Sequence, residues 1–263
     1  MTEPASSADV QARPRNRIRW RRVVFITLVA ILVMLVLRVA GIARMVIRTT
    51  ERYDPPVMAG QPLACGAGFY ARTGDRIFVT VSSHCYPAGS TQLFDDARLL
   101  GTLGRRPALA DCPKGRECYA SDFTELILEP DLLPWGHLDL VDLGAGGYRT
   151  LTSATPPLRC DEIHVGDRVE TDGRTLYREG TVLQVGPYDF EDDAIFPCMV
   201  ITDIEAGVGD SGASVLINGH PAGIAAREFG QYLGFTPVAE AMELLGDEIC
   251  TDPDCELVPP ASP

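Results

Sequence analysis

Aromatic side chains are scarce in this sequence: Phe, Trp and Tyr make up 7% of its 263 residues. That leaves little for a platform that stacks single-stranded nucleic acid. Basic residues are scarce too, once the first 43 positions are passed. Residues 44–263 carry 16 Lys and Arg against 34 Asp and Glu, a net of −18. So acidic a body repels phosphate backbones, which excludes nucleic acid as its partner. Histidine is limited to four scattered positions, and only Cys250-x4-Cys255 has a ligand-like spacing. Without a second close pair, zinc is the lesser reading of the cysteines. No metal or cofactor is implied, and no low-complexity tract is present.

What the chain does have is enough apolar material for a core, with 46% hydrophobic and 22% charged residues. With Gly 25 and Pro 20, turns are frequent, which favours a β-rich architecture over a helical bundle. The longest apolar run is 23–37, broken only by Thr27, and after Arg38 it continues to Ala43. As a helix, 23–43 spans about 31 Å, enough for a bilayer core. Arg38 lies near its end, where a long stem snorkels to the interface. Six arginines (13, 15, 17, 19, 21 and 22) precede the run. The positive-inside tendency keeps 1–22 cytoplasmic and puts the rest outside, on a short stalk at 44–62. The alternative is a cleaved signal peptide, with Gly41-Ile42-Ala43 as a small-x-small site and Arg21-Arg22 as a weak twin-arginine signal. Both readings export the main body.

The cysteines agree with export. All eight follow the apolar run: Cys65, Cys85, Cys112, Cys118, Cys160, Cys198, Cys250 and Cys255. An even count confined to the exported part reads as disulfides. Strand signals fill the same region. GFYAR and RIFVTVSS flank a turn at Thr73-Gly74-Asp75, and 122–128 ends in an apolar strand. Residues 130–158, with four prolines, connect two β-rich halves. The second half contains IHVGDRVE, a turn at Asp172-Gly173, RTLYREGTVLQVG, FPCMVITD, and a hairpin at Asn218-Gly219. Outside the apolar run one helix is predicted, at 238–246, with Val238, Ala241, Met242 and Leu245 on one face.

Three segments hold the residue types of nucleophilic catalysis. They are Ser82-Ser83-His84-Cys85 at a strand end, Ser121-Asp122 opening a strand, and Gly209-Asp210-Ser211-Gly212 in a turn. A serine hydroxyl attacks well only when an imidazole takes its proton and a carboxylate orients that imidazole. Glycines beside Ser211 allow a tight turn whose N–H groups converge on an oxyanion. Asp111, Asp139 and Asp142 are rival orienters. His137, His164 and His220 read as ordinary surface or turn residues.

In the order His, Asp, Ser, these segments resemble the chymotrypsin-like serine peptidases, above all the bacterial secreted branch. The resemblance covers about 63–246 and includes Cys65-Gly66-Ala67-Gly68-Phe69 and the closing helix. It implies His84 as general base, Asp122 as its orienter, Ser211 as nucleophile, Gly209 and Ser211 as oxyanion donors, and a Cys65–Cys85 bridge. It also implies two six-stranded antiparallel β-barrels, at about 63–130 and 158–236. Together with the helix at 238–246 they form a peptidase domain at 63–249, and 250–263 is left as a tail. Asp210 is expected buried and paired, holding the oxyanion loop.

Some positions differ from the family's usual residues. Ser83 stands where Ala is usual, and Ala213 where a second Gly follows the nucleophile. Glu125 lies in a normally apolar strand. Ala226-Arg227-Glu228 occupies the substrate-pairing edge, where a serine hydroxyl normally supports the aspartate. Glu205 falls at the family's pocket-floor position, where a carboxylate favours a basic substrate side chain; the alternative is a solvated loop acid. The expectation is a membrane-anchored serine endopeptidase acting on peptides or proteins through an acyl-enzyme. Its rival is a peptidase-like binding domain that has lost turnover. An esterase shares the same triad chemistry.

Overall fold

The strand signals at 66–82 become a hairpin. In the computed structural model, which describes residues 65–86, 89–95, 98–132, 136–173, 177–190, 194–251 and 255–257, β1 (Ala67–Thr73) pairs with β2 (Arg76–Ser82). Gly74, at φ 56°, supplies the left-handed turn conformation between them. All described residues fall within one compact unit, Asp54–Pro263. The apolar segment 23–43, its basic flank and the stalk 44–62 lie outside the described residues. Among the described residues no helix is long and apolar enough to cross a membrane.

The first half also contains β3 (Gln92–Asp95), β4 (Arg98–Leu103), β5 (Glu117–Cys118) and β6 (Phe123–Leu128). The short strands β7 (Gly136–His137), β8 (Leu140–Asp142) and β9 (Tyr148–Thr150) occupy the connection. The second half contains β10 (Arg168–Asp172), β11 (Tyr177–Asp189), β12 (Ala194–Glu205), β13 (Ser214–Ile217), β14 (His220–Phe229) and β15 (Tyr232–Pro237). Helix α1 (Ala239–Leu245), β16 (Glu248–Ile249) and β17 (Glu256–Leu257) close the chain.

The second half is a closed barrel. Its strands run β11-β10-β13-β14-β15-β12, and antiparallel pairing of β12 with β11 completes the ring. Closure removes free strand edges and encloses Val169, Val200, Val215, Ala225 and Phe235. At the β13–β14 turn Asn218 and Gly219 both have positive φ, as a type I′ hairpin requires. β5 adds to β12 in parallel. The half expected as the first barrel is less complete among the described residues. It is a six-stranded sheet, β16-β1-β2-β6-β4-β3, with no ladder joining β16 to β3 among the described residues.

Both faces of the first sheet are buried. Tyr70, Val79, Val81 and Leu126 fill one side. Phe69, Phe78 and Phe123 face the other, against Leu216 and Ile224 of the barrel and Val238, Ala241 and Met242 of the helical segment. The helix matches its prediction and ends at Gly246 (φ 68°), whose N–H bonds back to the last turn. The chain beyond it stays paired with the first half. β16 pairs with β1, Cys250 N–H donates to Tyr70 O at 2.9 Å, and β17 pairs with β7.

All eight cysteines form disulfides: Cys65–Cys85, Cys112–Cys118, Cys160–Cys198 and Cys250–Cys255. The Cys65–Cys85 bridge implied by the resemblance is present. Because Cys250 and Cys255 are joined to each other, neither is a free zinc ligand.

Candidate active site

β2 and β6 are hydrogen-bonded neighbours, with Ser82 opposite Phe123. The residues just beyond that pair are therefore adjacent, and Ser83 N–H donates to Asp122 O at 3.2 Å. A 3₁₀ turn at Ser83–Cys85 ends the strand and swings His84 outward, with Cys85 tied back to Cys65. Asp122 is 1% exposed. Its N–H donates to Thr236 Oγ1 at 2.9 Å, which fixes the strand start against β15.

The third segment comes from the opposite half. Ser211 lies in the turn between β12 and β13. Gly66 N–H donates to its carbonyl at 2.6 Å, and Gly212 N–H donates to Ala225 O at 2.7 Å. Gly212 has φ 91°, and a Cβ there would meet Gly66 O at 2.1 Å, so no larger residue fits this crossing. Ala213 takes the place of a second glycine without conflict. Its methyl is buried in the barrel core, and its N–H donates to Asp210 O at 3.0 Å.

The three side chains meet. His84 Nδ1 pairs with Asp122 Oδ2, and His84 Nε2 lies 3.1 Å from Ser211 Oγ. A carboxylate only accepts, so it favours the tautomer with hydrogen on Nδ1 and leaves the Nε2 lone pair facing the hydroxyl. Among the described residues no backbone carbonyl accepts from Gly209 or Ser211 N–H. Gly209 has φ 91°.

Asp210 is buried, as expected, and its partner is Arg178 of β11. The guanidinium lies 2.5 Å from Asp210 Oδ2, which also accepts Gly207 N–H at 2.6 Å. Arg178 also donates to the carbonyl of Glu205. Gly173, read from the sequence only as a turn residue, makes room for this pair: a Cβ there would meet Asp210 Oδ1 at 2.0 Å. No local pattern marks Arg178, which lies on a different strand. The one available signal is the chemical need of a buried aspartate for a cation.

The specificity candidates are less convergent. Glu205 ends β12 with its side chain exposed, as for a solvated loop acid. Ala226 is buried beside Ala194, Phe196 and Met199. Arg227 is partly buried, with its guanidinium 5.0 Å above the Phe190 ring. Of the rival orienters, Asp142 accepts Gly144 N–H at 2.8 Å and Asp111 is exposed. His164 is exposed beside Asp167, and His220 Nδ1 lies 2.9 Å from Pro156 O. His137 has no described side chain.

No family model and no curated protein matches the chain. Solved structures do. Protease A of Thermobifida fusca superposes with a TM-score of 0.55 at 20% identity, covering 74% of this chain and 99% of that one. Cellulomonas bogoriensis chymotrypsin gives 0.54 at 18% identity, with the same coverage. A glutamic-acid-specific serine protease, described as using a histidine triad in substrate binding, gives 0.53 at 20%, covering 71% and 93%. The chain therefore has the fold of the chymotrypsin-like bacterial serine proteases.

Proposed function

We propose that this chain is a serine endopeptidase, exported and held at the bacterial plasma membrane by residues 23–43. The observation that carries the reading is the continuous contact from buried Asp122 through both ring nitrogens of His84 to Ser211 Oγ. Ser211 Oγ attacks the peptide carbonyl carbon and its proton passes to His84 Nε2. Asp122 stabilises the resulting imidazolium. Gly209 and Ser211 N–H receive the oxyanion. Collapse breaks the C–N bond, and the leaving amine takes the proton from Nε2. Water, deprotonated by the same nitrogen, then attacks the acyl carbonyl; the C–O bond to Ser211 breaks, Ser211 Oγ takes that proton back from Nε2, and the acid product leaves. Like the fold relatives' proteolysis, export has indirect support, from the apolar run, its arginine flank and four disulfides. A two-barrel peptidase architecture, with the first sheet as the second barrel, belongs to the same proposal.

A fluorophosphonate probe tests the chemistry on the full chain. The phosphorus–oxygen bond to Ser211 forms as fluoride leaves and His84 takes the hydroxyl proton. The wild-type protein labels; Ser211→Ala does not, and His84→Ala labels at least about a thousandfold more slowly. Absence of labelling in folded, disulfide-intact wild type would instead favour the binding domain without turnover.

A further inference from the structure

Asp122 sits in an unusual cage of hydroxyls. Both oxygens of its buried carboxylate are occupied. Oδ1 accepts from Ser83 Oγ–H and, at 3.2 Å, from His84 N–H. Oδ2 accepts from His84 Nδ1–H and, at 3.1 Å, from Ser82 Oγ–H. Ser82 Oγ is also 2.8 Å from His84 Nδ1, so it accepts from the same N–H that it helps to aim. Ser82 is 0% and Ser83 5% exposed. Neither hydroxyl is placed by a need for solvent, and both point at the one carboxylate.

This cage bears on Ala226. The resemblance places a serine that supports the aspartate in the edge segment Ala226-Arg227-Glu228, and Ala226 has only a methyl, packed among Ala194, Phe196 and Met199. Ala226 offers no side-chain donor, while two hydroxyls reach the Asp122 carboxylate from the segment that also carries the imidazole. We infer that Ser82 and Ser83 are positioning residues that hold the plane of the Asp122 carboxylate, from the same segment that carries the imidazole. The mechanics follow from the contacts. Ser83 Oγ–H and His84 N–H pin Oδ1, which leaves Oδ2 facing Nδ1. Ser82 bridges Oδ2 and Nδ1, which restrains the ring about its own bond to Cβ. With neither hydroxyl, the carboxylate keeps one backbone donor and one ring donor, and each is free to pivot about the other.

The inference rests on the triad reading, and the experiment separates the two. Full-length wild type, Ser82→Ala, Ser83→Ala and the double variant are saturated with the fluorophosphonate probe to give kinact and KI separately. Folding is checked first by circular dichroism and the thermal transition. Hydrogen bonds to a charged group correspond to about a tenfold effect or more. Each single substitution should therefore lower kinact about tenfold and the double about a hundredfold, with KI unchanged. A purely structural role would move the thermal transition and leave kinact per folded molecule alone. Unchanged kinact in the folded double variant, or a loss carried wholly by KI, overturns the inference. Should the double variant not fold, the single variants are judged by the same split. If wild type itself fails to label, the triad reading falls and takes this inference with it; if wild type labels and the variants match it, only the inference falls.

Discussion

Two buried carboxylates three positions apart are held in opposite ways. Asp122, just ahead of β6, is surrounded by neutral donors: two hydroxyls, a backbone N–H and an imidazole. Glu125, inside β6 and 0% exposed, is held by two cations, Arg76 at 3.0 Å and Arg105 at 2.5 Å. Arg105 also reaches Asp247 at 2.5 Å, the Leu245 carbonyl at 2.8 Å and Thr73 Oγ1 at 2.8 Å. Glu125 is thus one corner of a staple that fastens the first sheet to the end of α1. A carboxylate already neutralised by guanidinium groups has little field left to stabilise a new cation. On the proposed mechanism, one fixed only by neutral dipoles keeps its field for the imidazolium that forms beside it.

The largest effect should come from exchanging the two charges' chemistry. Asp122→Asn keeps the shape and removes the field and the tautomer preference, so kcat should fall about ten-thousandfold with little change in melting. Glu125→Gln, the matched change, should leave kcat per folded molecule unaltered and lower the thermal transition. Steady-state turnover of a peptide substrate beside a thermal scan checks both. Equal losses of kcat in the two variants would erase the distinction.

A smaller effect sharpens the structural side. Arg105→Met leaves Glu125 and Asp247 buried with fewer partners. Breaking a fully buried pair costs about 3–5 kcal/mol. The Arg105 side chain is itself 38% exposed, so urea unfolding should show a loss of about 2–3 kcal/mol. Activity of the folded fraction should be retained. A stability within error of wild type would show that the staple is ornamental.

Much of this site was legible in the sequence, because each triad residue sits in a short motif and their order is distinctive. His84 carries its cysteine, Asp122 opens an apolar strand, and Ser211 is framed by glycines. The hairpin at Asn218-Gly219 and the helix ending at Gly246 were legible for the same local reason. What escaped were relations across the fold. Arg178 reaches Asp210 from another strand, and Gly173 matters only through the space it leaves for them. Ser83 was visible as a departure from the family, but its hydroxyl acquires meaning only once β2 and β6 lie side by side. β15 carries no clear strand signal because Gly234 and Pro237 break its pattern, and two-residue β16 is too short to carry one. Glu125 stood out as an acid in an apolar strand, and only Arg76 and Arg105 explain it.

The claim on which the rest depends is that Ser211 becomes acylated. The most direct test is the pre-steady-state release of nitrophenol from p-nitrophenyl acetate by the full chain, with the mass of the acylated peptide read after acid quench. The account predicts a burst of about one nitrophenol per folded chain, an acetyl group on the peptide containing Ser211, and no burst in Ser211→Ala. A folded, disulfide-bonded protein that gives no burst, or carries its acetyl group elsewhere, would contradict it.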